Sequence, residues 1–445
     1  MFRRGISSLV AMLLCTSALQ AQTGSLTDKI QALFRFGNCG QPLCLDGTIN
    51  AGTGHGLHFI PSAIAGNLTL IGGLTQSIGV VTSTFPLGST SGGATFKFVG
   101  GLPVKTSESD GPIFGERGQT LGKGRFLMGT NLSGLKFTTF RGVPLSNMPF
   151  TFTHQDVGAP GLGDVNFEND VINVRLALNV NLFVSSFFIN YGLLNNVDLS
   201  VAVPVVYSHM EGSSTAQIVP FGTPIFHFFG GDPNVDSLKI LRASAAEFGS
   251  STGVGDIASR VKIGLKNSEH LQLALLADAR WPTGDENNFH GSGKTAIRGL
   301  AIASAKFGSF SPHLNLGYFW INKDSVASPY GGKIASAARD QVLATAGFDQ
   351  LLNPWTTLAV DMISQWQVGN STIKIPGRVD YILPVKRSVD PTIIPDQKDN
   401  RIDAALGFKF KLSPGATIIT NALVPMLKGG VEPSFVWTTG AEFNF

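Results

Sequence analysis

The chain is written in a two-residue rhythm. Between Val171 and Val184 every even position is apolar (Ile172, Val174, Leu176, Leu178, Val180, Leu182, Val184), while the odd positions include Asn173, Arg175, Asn179 and Asn181. A period of two puts one set on each face of a strand, whereas a helix would scatter the amides around its circumference. A strand spanning a bilayer takes about 9–11 residues, apolar toward lipid and polar toward the lumen. The segment reads as one stave of a membrane barrel. Beyond Ser185-Ser186 the apolar residues move to odd positions, Phe187, Ile189, Tyr191 and Leu193. That change of phase predicts a β-bulge, with two separate strands as the alternative.

The rhythm continues to the last residue. After a tight turn at Leu194-Asn195-Asn196, Val197, Leu199, Val201, Val203 and Val205 alternate with polar or small neighbours. Residues from His209 to Gly255 read as a long loop. Ile257, Val261, Ile263 and Leu265 then oppose Arg260, Lys262 and Lys266, and further strands follow between short turns and long loops, as periplasmic turns and extracellular loops alternate in such barrels. Trp281, Tyr318, Trp320, Trp355, Trp366 and Trp437 suit aromatic girdles at strand ends. The last strand alternates from Phe435 to Phe445, a terminal phenylalanine of the kind read by the barrel-assembly machinery. The expected fold is all-β: a transmembrane antiparallel up-and-down β-barrel of about 12–14 strands, with an N-terminal plug-like or periplasmic segment. The larger count applies if Ser77–Pro86 and Thr95–Val99 form an added hairpin.

Three regions are expected. Residues 1–21 read as a signal peptide, with Arg3 and Arg4 before the apolar run Leu9 to Leu14 and cleavage near Ala21. Cys15 would suit a lipoprotein, but Leu14 stands where a lipobox wants a small residue. Residues 22–122 form the N-terminal segment, a possible plug with the first strands: a weak helical pattern from Ser25 to Phe36, a Cys-containing loop, and a small apolar stretch from Pro61 to Leu74. In an oxidising periplasm Cys39 and Cys44 read as a short-loop disulfide; His55 and His58 keep a metal reading open. Residues 123–445 form the barrel.

Composition narrows the classes. Of 445 residues 43% are hydrophobic and 14% charged, with 53 glycines, and the mean hydropathy is +0.18, which excludes a disordered chain. After the leader the chain has no apolar run of about 18 residues, which excludes a helical membrane protein. Removing Arg3 and Arg4 with the leader brings 33 basic and 30 acidic residues nearly into balance, so there is no case for nucleic acid as a partner.

The chemistry-bearing candidates lie on the inferred lumen face: Arg175, Arg260, Lys262, Arg280, Arg298 and Arg401, with Asp278, Asp361 and Asp403. They would line a polar pore, or form a cross-strand ladder of salt bridges that fills and stiffens the barrel. Their mixed sign argues against a strongly ion-selective porin. Phe221, Phe226, Phe228 and Phe229 are ligand-capture candidates, with loop packing as the alternative. Gly291-Ser-Gly-Lys294-Thr295 lacks the first glycine of a phosphate-binding loop, Asn288 standing in its place. Asp285, Asn287 and Asn288 could ligate calcium or simply solvate a loop. Ser208 and His209 are adjacent in a strand, so they point to opposite faces and cannot pair as a lipase site would need. No catalytic residue, metal or cofactor is expected.

Several strand-end motifs carry a resemblance: Phe114-Gly-Glu-Arg117 with Thr120-Leu-Gly-Lys-Gly-Arg125, Asp198-Leu-Ser-Val-Ala-Val-Pro204, Gly253-Val-Gly-Asp256, and Pro282-Thr-Gly-Asp285 with Gly291-Ser-Gly293. In these the chain resembles the outer-membrane proteins classed with the MetA pathway of phenol degradation, similar in layout to the long-chain fatty acid transporter family. The resemblance implies uptake of hydrophobic or aromatic small molecules across the bacterial outer membrane, with a general porin or a sealed structural barrel as the alternatives. The implied partners are outer-membrane lipid and lipopolysaccharide, the assembly machinery acting through Phe445, and a hydrophobic ligand.

Overall fold

Fourteen strands, each long enough to cross a bilayer or to extend one that does, build the wall in this computed structural model. The structure describes residues 24–36, 65–84, 96–99, 102–105, 111–154, 168–232, 234–268, 270–327, 333–334, 336–371, 373, 375–382 and 385–445. The expected signal peptide and the Cys39–Cys44 disulfide lie outside them. The strands are β1 (Phe126–Phe140), β2 (Met148–Thr153), β3 (Val171–Leu194), β4 (Val197–Val219), β5 (Arg242–Val254), β6 (Ile257–Asn267), β7 (Leu271–Trp281), β8 (Ala296–Ala305), β9 (Phe310–Ile321), β10 (Gln341–Asn353), β11 (Thr356–Gln367), β12 (Arg401–Ser413), β13 (Ala416–Lys428) and β14 (Val431–Asn444).

Twelve of them close into an antiparallel ring, in the order β3-β4-β6-β7-β8-β9-β10-β11-β12-β13-β14-β1 and back to β3. The seam joins the two ends of the wall, with Phe126 and Phe445 exchanging backbone hydrogen bonds of 3.1 and 2.9 Å. The ring is inside-out relative to a soluble protein. Phe187, Ile189, Leu275, Leu316, Met362 and Leu406 are exposed on its outer surface, while Asn190, Lys262, Asp278, Asn315, Asp361 and Lys409 are buried within. An apolar belt of that extent around a polar centre is tolerated only against lipid. The chain is an outer-membrane β-barrel.

The long hairpin β3–β4 corrects the reading of its own alternation. Strand β3 runs unbroken for 24 residues and stays in continuous register with β4 from Val171↔Val219 to Gly192↔Asp198, so there is no bulge at Ser185-Ser186. The even positions remain buried from Ile172 to Gly192. What changes is the surroundings. In the lower half the odd residues Phe183, Phe187 and Ile189 face lipid over an inward Ser186 and Asn190. In the upper half the strand stands clear of the membrane, so Asn173 and Arg175 face water and the apolar even residues cover an internal core. Residues 171–184 are thus mostly an extension above the bilayer rather than its stave.

Two further strands complete that extension. β2 continues β1 and pairs with the top of β3; β5 continues β6 and pairs with β4 from Arg242↔Gln217 to Val254↔Val205. Residues expected as a loop from His209 to Gly255 therefore include half of β4 and all of β5. Their outward positions are mostly small or polar, with Glu211, Ser213, Thr215, Arg242, Ser244 and Thr252 among them and Phe248 an exposed exception, so no sustained hydrophobic alternation betrays them.

Two helices pack beneath this four-stranded sheet. In α1 (Leu26–Ala32) Ser25 and Asp28 cap each other's backbone N–H, Ser25 Oγ accepting at 3.1 Å and Asp28 Oδ2 at 2.8 Å. Helix α2 (Ala65–Thr84) takes up Ser77–Thr84, which removes the added hairpin; Phe96–Val99 pairs instead with Leu102–Lys105 as a separate two-stranded sheet. Leu26, Ile30, Leu33 and Phe34, with Leu70, Ile71, Leu74 and Ile78, join Ile172, Val174, Leu176 and Ile218 in one buried cluster.

Candidate functional site

The polar interior of the ring is organised in three groups of paired charges. Asp278 on β7 lies opposite Arg260 of β6 and Arg298 of β8, with Arg280 two residues along its own strand. It accepts from Arg260 Nε at 2.6 Å, Arg280 Nε at 3.0 Å and Arg298 Nη2 at 2.8 Å. Three guanidiniums on one acid leave positive charge to spare, and Arg280 Nη1 also donates to the carbonyl of Ser83 at 3.0 Å. Ser83 is at the C-terminal end of α2, where unsatisfied carbonyls carry the negative end of the helix dipole. The cluster thus holds the foot of the helix.

Asp361 on β11 anchors a different element. Residues 111–122 belong to no strand and cross the interior of the ring. Asp361 Oδ2 accepts from the backbone N–H groups of Phe114 and Gly115 at 3.2 Å, and its Oδ1 is 2.7 Å from His313 Nε2. A Cβ on Gly115 would lie 2.2 Å from that imidazole and one on Gly347 2.3 Å from the carboxylate, so both glycines keep room for the pair. Onward, Asn315 bonds Glu116 twice through its side-chain amide, both at 2.8 Å, as a strand's backbone would. Arg117 pairs with Asp349, Lys262 lies 3.4 Å from Glu116, Ser304 Oγ accepts from Gly118 N at 3.0 Å, and Asp198 Oδ2 accepts from Leu121 N at 2.9 Å. The segment reaches from β11 to β4 and is held by wall side chains throughout.

A third group joins Arg401 to Asp403 at 3.3 Å and to Glu432 at 3.1 Å, and Lys409 meets Glu442 at 3.3 Å. Of the nine residues assigned to the lumen face from sequence, Arg260, Lys262, Asp278, Arg280, Arg298, Asp361, Arg401 and Asp403 line the interior in these groups. Arg175 does not. It sits on the outer face of the extension, 3.3 Å from Asn147 Oδ1, because β3 at that height has left the membrane. Sequence reasoning missed Glu116, Arg117, His313, Asn315 and Asp349. His313, Asn315 and Asp349 carry the polar parity of their strands and were open to being found; Glu116 and Arg117 lie in a motif with no alternation.

Above the ring the strand-end motifs converge. The wall strand breaks at Gly255-Asp256, between β5 and β6, and the loop after β7 folds over the break. Asp256 accepts from Gly284 N at 3.0 Å, Ser292 N at 2.8 Å and Ser292 Oγ at 3.0 Å. Asp285 is occupied within its own turn, accepting from Asn287 N at 2.9 Å and Asn288 Nδ2 at 2.6 Å, and Asn288 Oδ1 accepts from Leu26 N at 3.1 Å. Among the described residues no three His, Cys, Asp or Glu side chains gather as a metal site. His290 is buried against Gly253, and burial lowers its imidazole pKa below the usual value.

Of the phenylalanine cluster, Phe228 is buried, Phe226 and Phe229 are half-buried, and Phe221 is exposed. Phe229 meets Phe36 edge-on at 5.6 Å, Phe228 is buried under Lys239 Nζ at 5.3 Å, Phe226 is half-buried, and Phe221 lies under the Arg387 guanidinium at 4.6 Å. Arg387 also covers Tyr381 at 4.3 Å, whose hydroxyl is pushed by burial up to about 12. Phe34 meets Phe150 at 5.9 Å and Phe152 at 6.2 Å, so α1 and its following turn sit in an aromatic nest.

Residues 161–372 match the family described as Putative MetA-pathway of phenol degradation. No curated protein matches the chain. Among solved structures, an outer-membrane channel of Pseudomonas putida F1 is 12% identical, covering 74% of this chain and 97% of its own with a TM-score of 0.43. A Pseudomonas aeruginosa FadL homologue (10% identical, 72% and 89% covered, TM-score 0.32) and the CymD monoaromatic hydrocarbon channel (8%, 73% and 89%, 0.34) are similar at lower scores.

Proposed function

We propose that this outer-membrane barrel, similar across much of its wall to the MetA-pathway family of phenol degradation, is a channel for uptake of hydrophobic or aromatic small molecules. The observation that carries the reading is the segment 111–122. It crosses the lumen on side-chain hydrogen bonds and ion pairs to the wall, not on a strand ladder. Contacts of that kind can be exchanged one at a time, whereas a ladder is broken all at once. The segment serves as the plug of the channel.

In this mechanism the ligand enters at the extracellular extension. Phe34 and Phe36 occupy an apolar nest formed with Phe150, Phe152 and Phe229, and an aromatic ligand competes for the same faces. Displacing that turn loosens α1 and α2, whose foot rests on the Asp278 cluster, and the disturbance reaches the plug through the shared interior. The general-porin reading is disfavoured by the obstructed lumen. Radiolabelled uptake of a panel of phenols, alkylbenzenes and long-chain fatty acids, in cells with and without the protein, tests the proposal. Faster entry of at least one apolar class is the expected result; uptake equal in both strains across the panel overturns it.

A further inference from the structure

We propose that the outer face of β1–β5 is a docking surface for lipopolysaccharide, with separate places for its acyl chains and its phosphates. The lower place is a groove of about 430 Å³ on the lipid side of the wall, lined by Phe183, Tyr207, Phe435 and Trp437. Its floor is Gly134, where a Cβ would lie 2.5 Å from Trp437 Nε1, so the missing side chain lets the indole lie across β1. Phe183 meets Trp437 at 6.4 Å and Tyr207 at 6.3 Å. A register shift between Pro433 and Val436 leaves Phe435 outside the ladder as the groove's fourth wall. The groove is apolar below and polar above, where Lys136, Asn181 and His209 form its upper rim.

The cations on this face decide the occupant. Lys136 pairs in register with Asn181 at the top of the groove. Arg175 stands six residues further up β3, about 20 Å along the strand, and Arg242 lies beyond it, opposite Gln217. Both arginines line a second cavity of about 780 Å³, with Asn173, Thr151 and Ser244 as further polar edges. Among the described residues none of the three cations has an acidic partner, and the single acid on the outward positions of β1–β5, Glu211, is paired with His209. Phosphatidylglycerol could satisfy the groove and Lys136 but does not reach the arginines. A lipid with acyl chains, a phosphorylated disaccharide and an anionic core saccharide spans all three. Guanidinium forks recognise phosphate in two-point fashion, and these two are held only by neutral side-chain amides, Arg242 by Gln217 and Arg175 by Asn147, which a phosphate replaces with a charge-assisted bond.

The surface lies outside the lumen, so the proposal stands or falls apart from the uptake reading. The test is native mass spectrometry of the purified full-length barrel in detergent, titrated with rough lipopolysaccharide, lipid A or phosphatidylglycerol. Lipopolysaccharide is expected to bind most tightly. The double variant Arg175→Gln/Arg242→Gln should weaken lipopolysaccharide at least about tenfold and leave lipid A unchanged, while Lys136→Gln should weaken both. These positions are exposed, and the heat-modifiable gel shift of the barrel reports that each variant is folded. Equal affinity for lipopolysaccharide and phosphatidylglycerol, or variants that bind as the parent does, would overturn the assignment.

Discussion

Asp361 holds one end of the crossing segment through a single side chain. Its two oxygens satisfy two backbone N–H groups of the crossing segment and His313, all in a buried setting. Removing the acceptor leaves those donors without partners, at about 1–3 kcal/mol for each buried group. Asp361→Ala is therefore expected to unseat residues around Phe114 while the wall, held by its ladders, stays intact. Planar-bilayer recording checks this: more frequent and larger conductance steps than the parent, with an unchanged gel shift, are expected. Indistinguishable recordings would mean the segment does not depend on this anchor. Asp361 could be singled out from sequence as an inward acid on a strand of apolar outward residues. What it holds could not, because Phe114-Gly-Glu-Arg117 has neither strand nor helix period and its partners come from strands about 200 residues away.

At the scale of elements, the strands wetted on one face and oiled on the other were legible, and those with water outside were not. The twelve strands of the ring follow from alternation alone, down to the turn at Asn195-Asn196. β5 escaped because Ala, Ser and Gly fill most positions on both its faces and leave Phe248 and Val254 without a repeating apolar partner, and the upper half of β4 because its outward residues include Glu211, Ser213 and Thr215. Helix α2 has no charged residue to mark a face. The loop closing the break at Gly255-Asp256 carries its own pH dependence. His290 is buried with Nε2 lacking a hydrogen-bond partner, and burial lowers its pKa. A lowered folded-state pKa means that the neutral imidazole is the form the fold prefers. Its contribution is fully present above the unfolded value of about 6.5 and is lost as pH falls toward the lower folded value. Protection of the amides in residues 284–292, taken relative to their intrinsic exchange rates, is expected to fall between pH 7 and 5, and His290→Gln should flatten that dependence. An exchange rate that does not change with pH beyond the chemical trend would remove the role of His290.

For the molecule as a whole, the outer surface of β3 makes a paired prediction. Ile189→Lys puts a charge into the lipid-facing belt and is expected to cost about 2–4 kcal/mol, whereas Asn173→Lys, on the same face of the same strand, should stay within about 0.5 kcal/mol. Urea titrations of folding into vesicles measure both. Equal penalties would place the two residues in the same medium and undo the division between wall and extension.

That division also fixes a draught line, as on a ship's hull. The hairpin β3–β4 changes the character of its outward residues within a single turn of side chains, from Asn179 and Asn181 to Phe183. Sinking the barrel by two residues, about 7 Å, would bring Asn181 into hydrocarbon; raising it as far would lift Phe183 into water. Either displacement is opposed on several strands at once, so the barrel rides at one depth and presents its headland of four strands at a constant height above the leaflet.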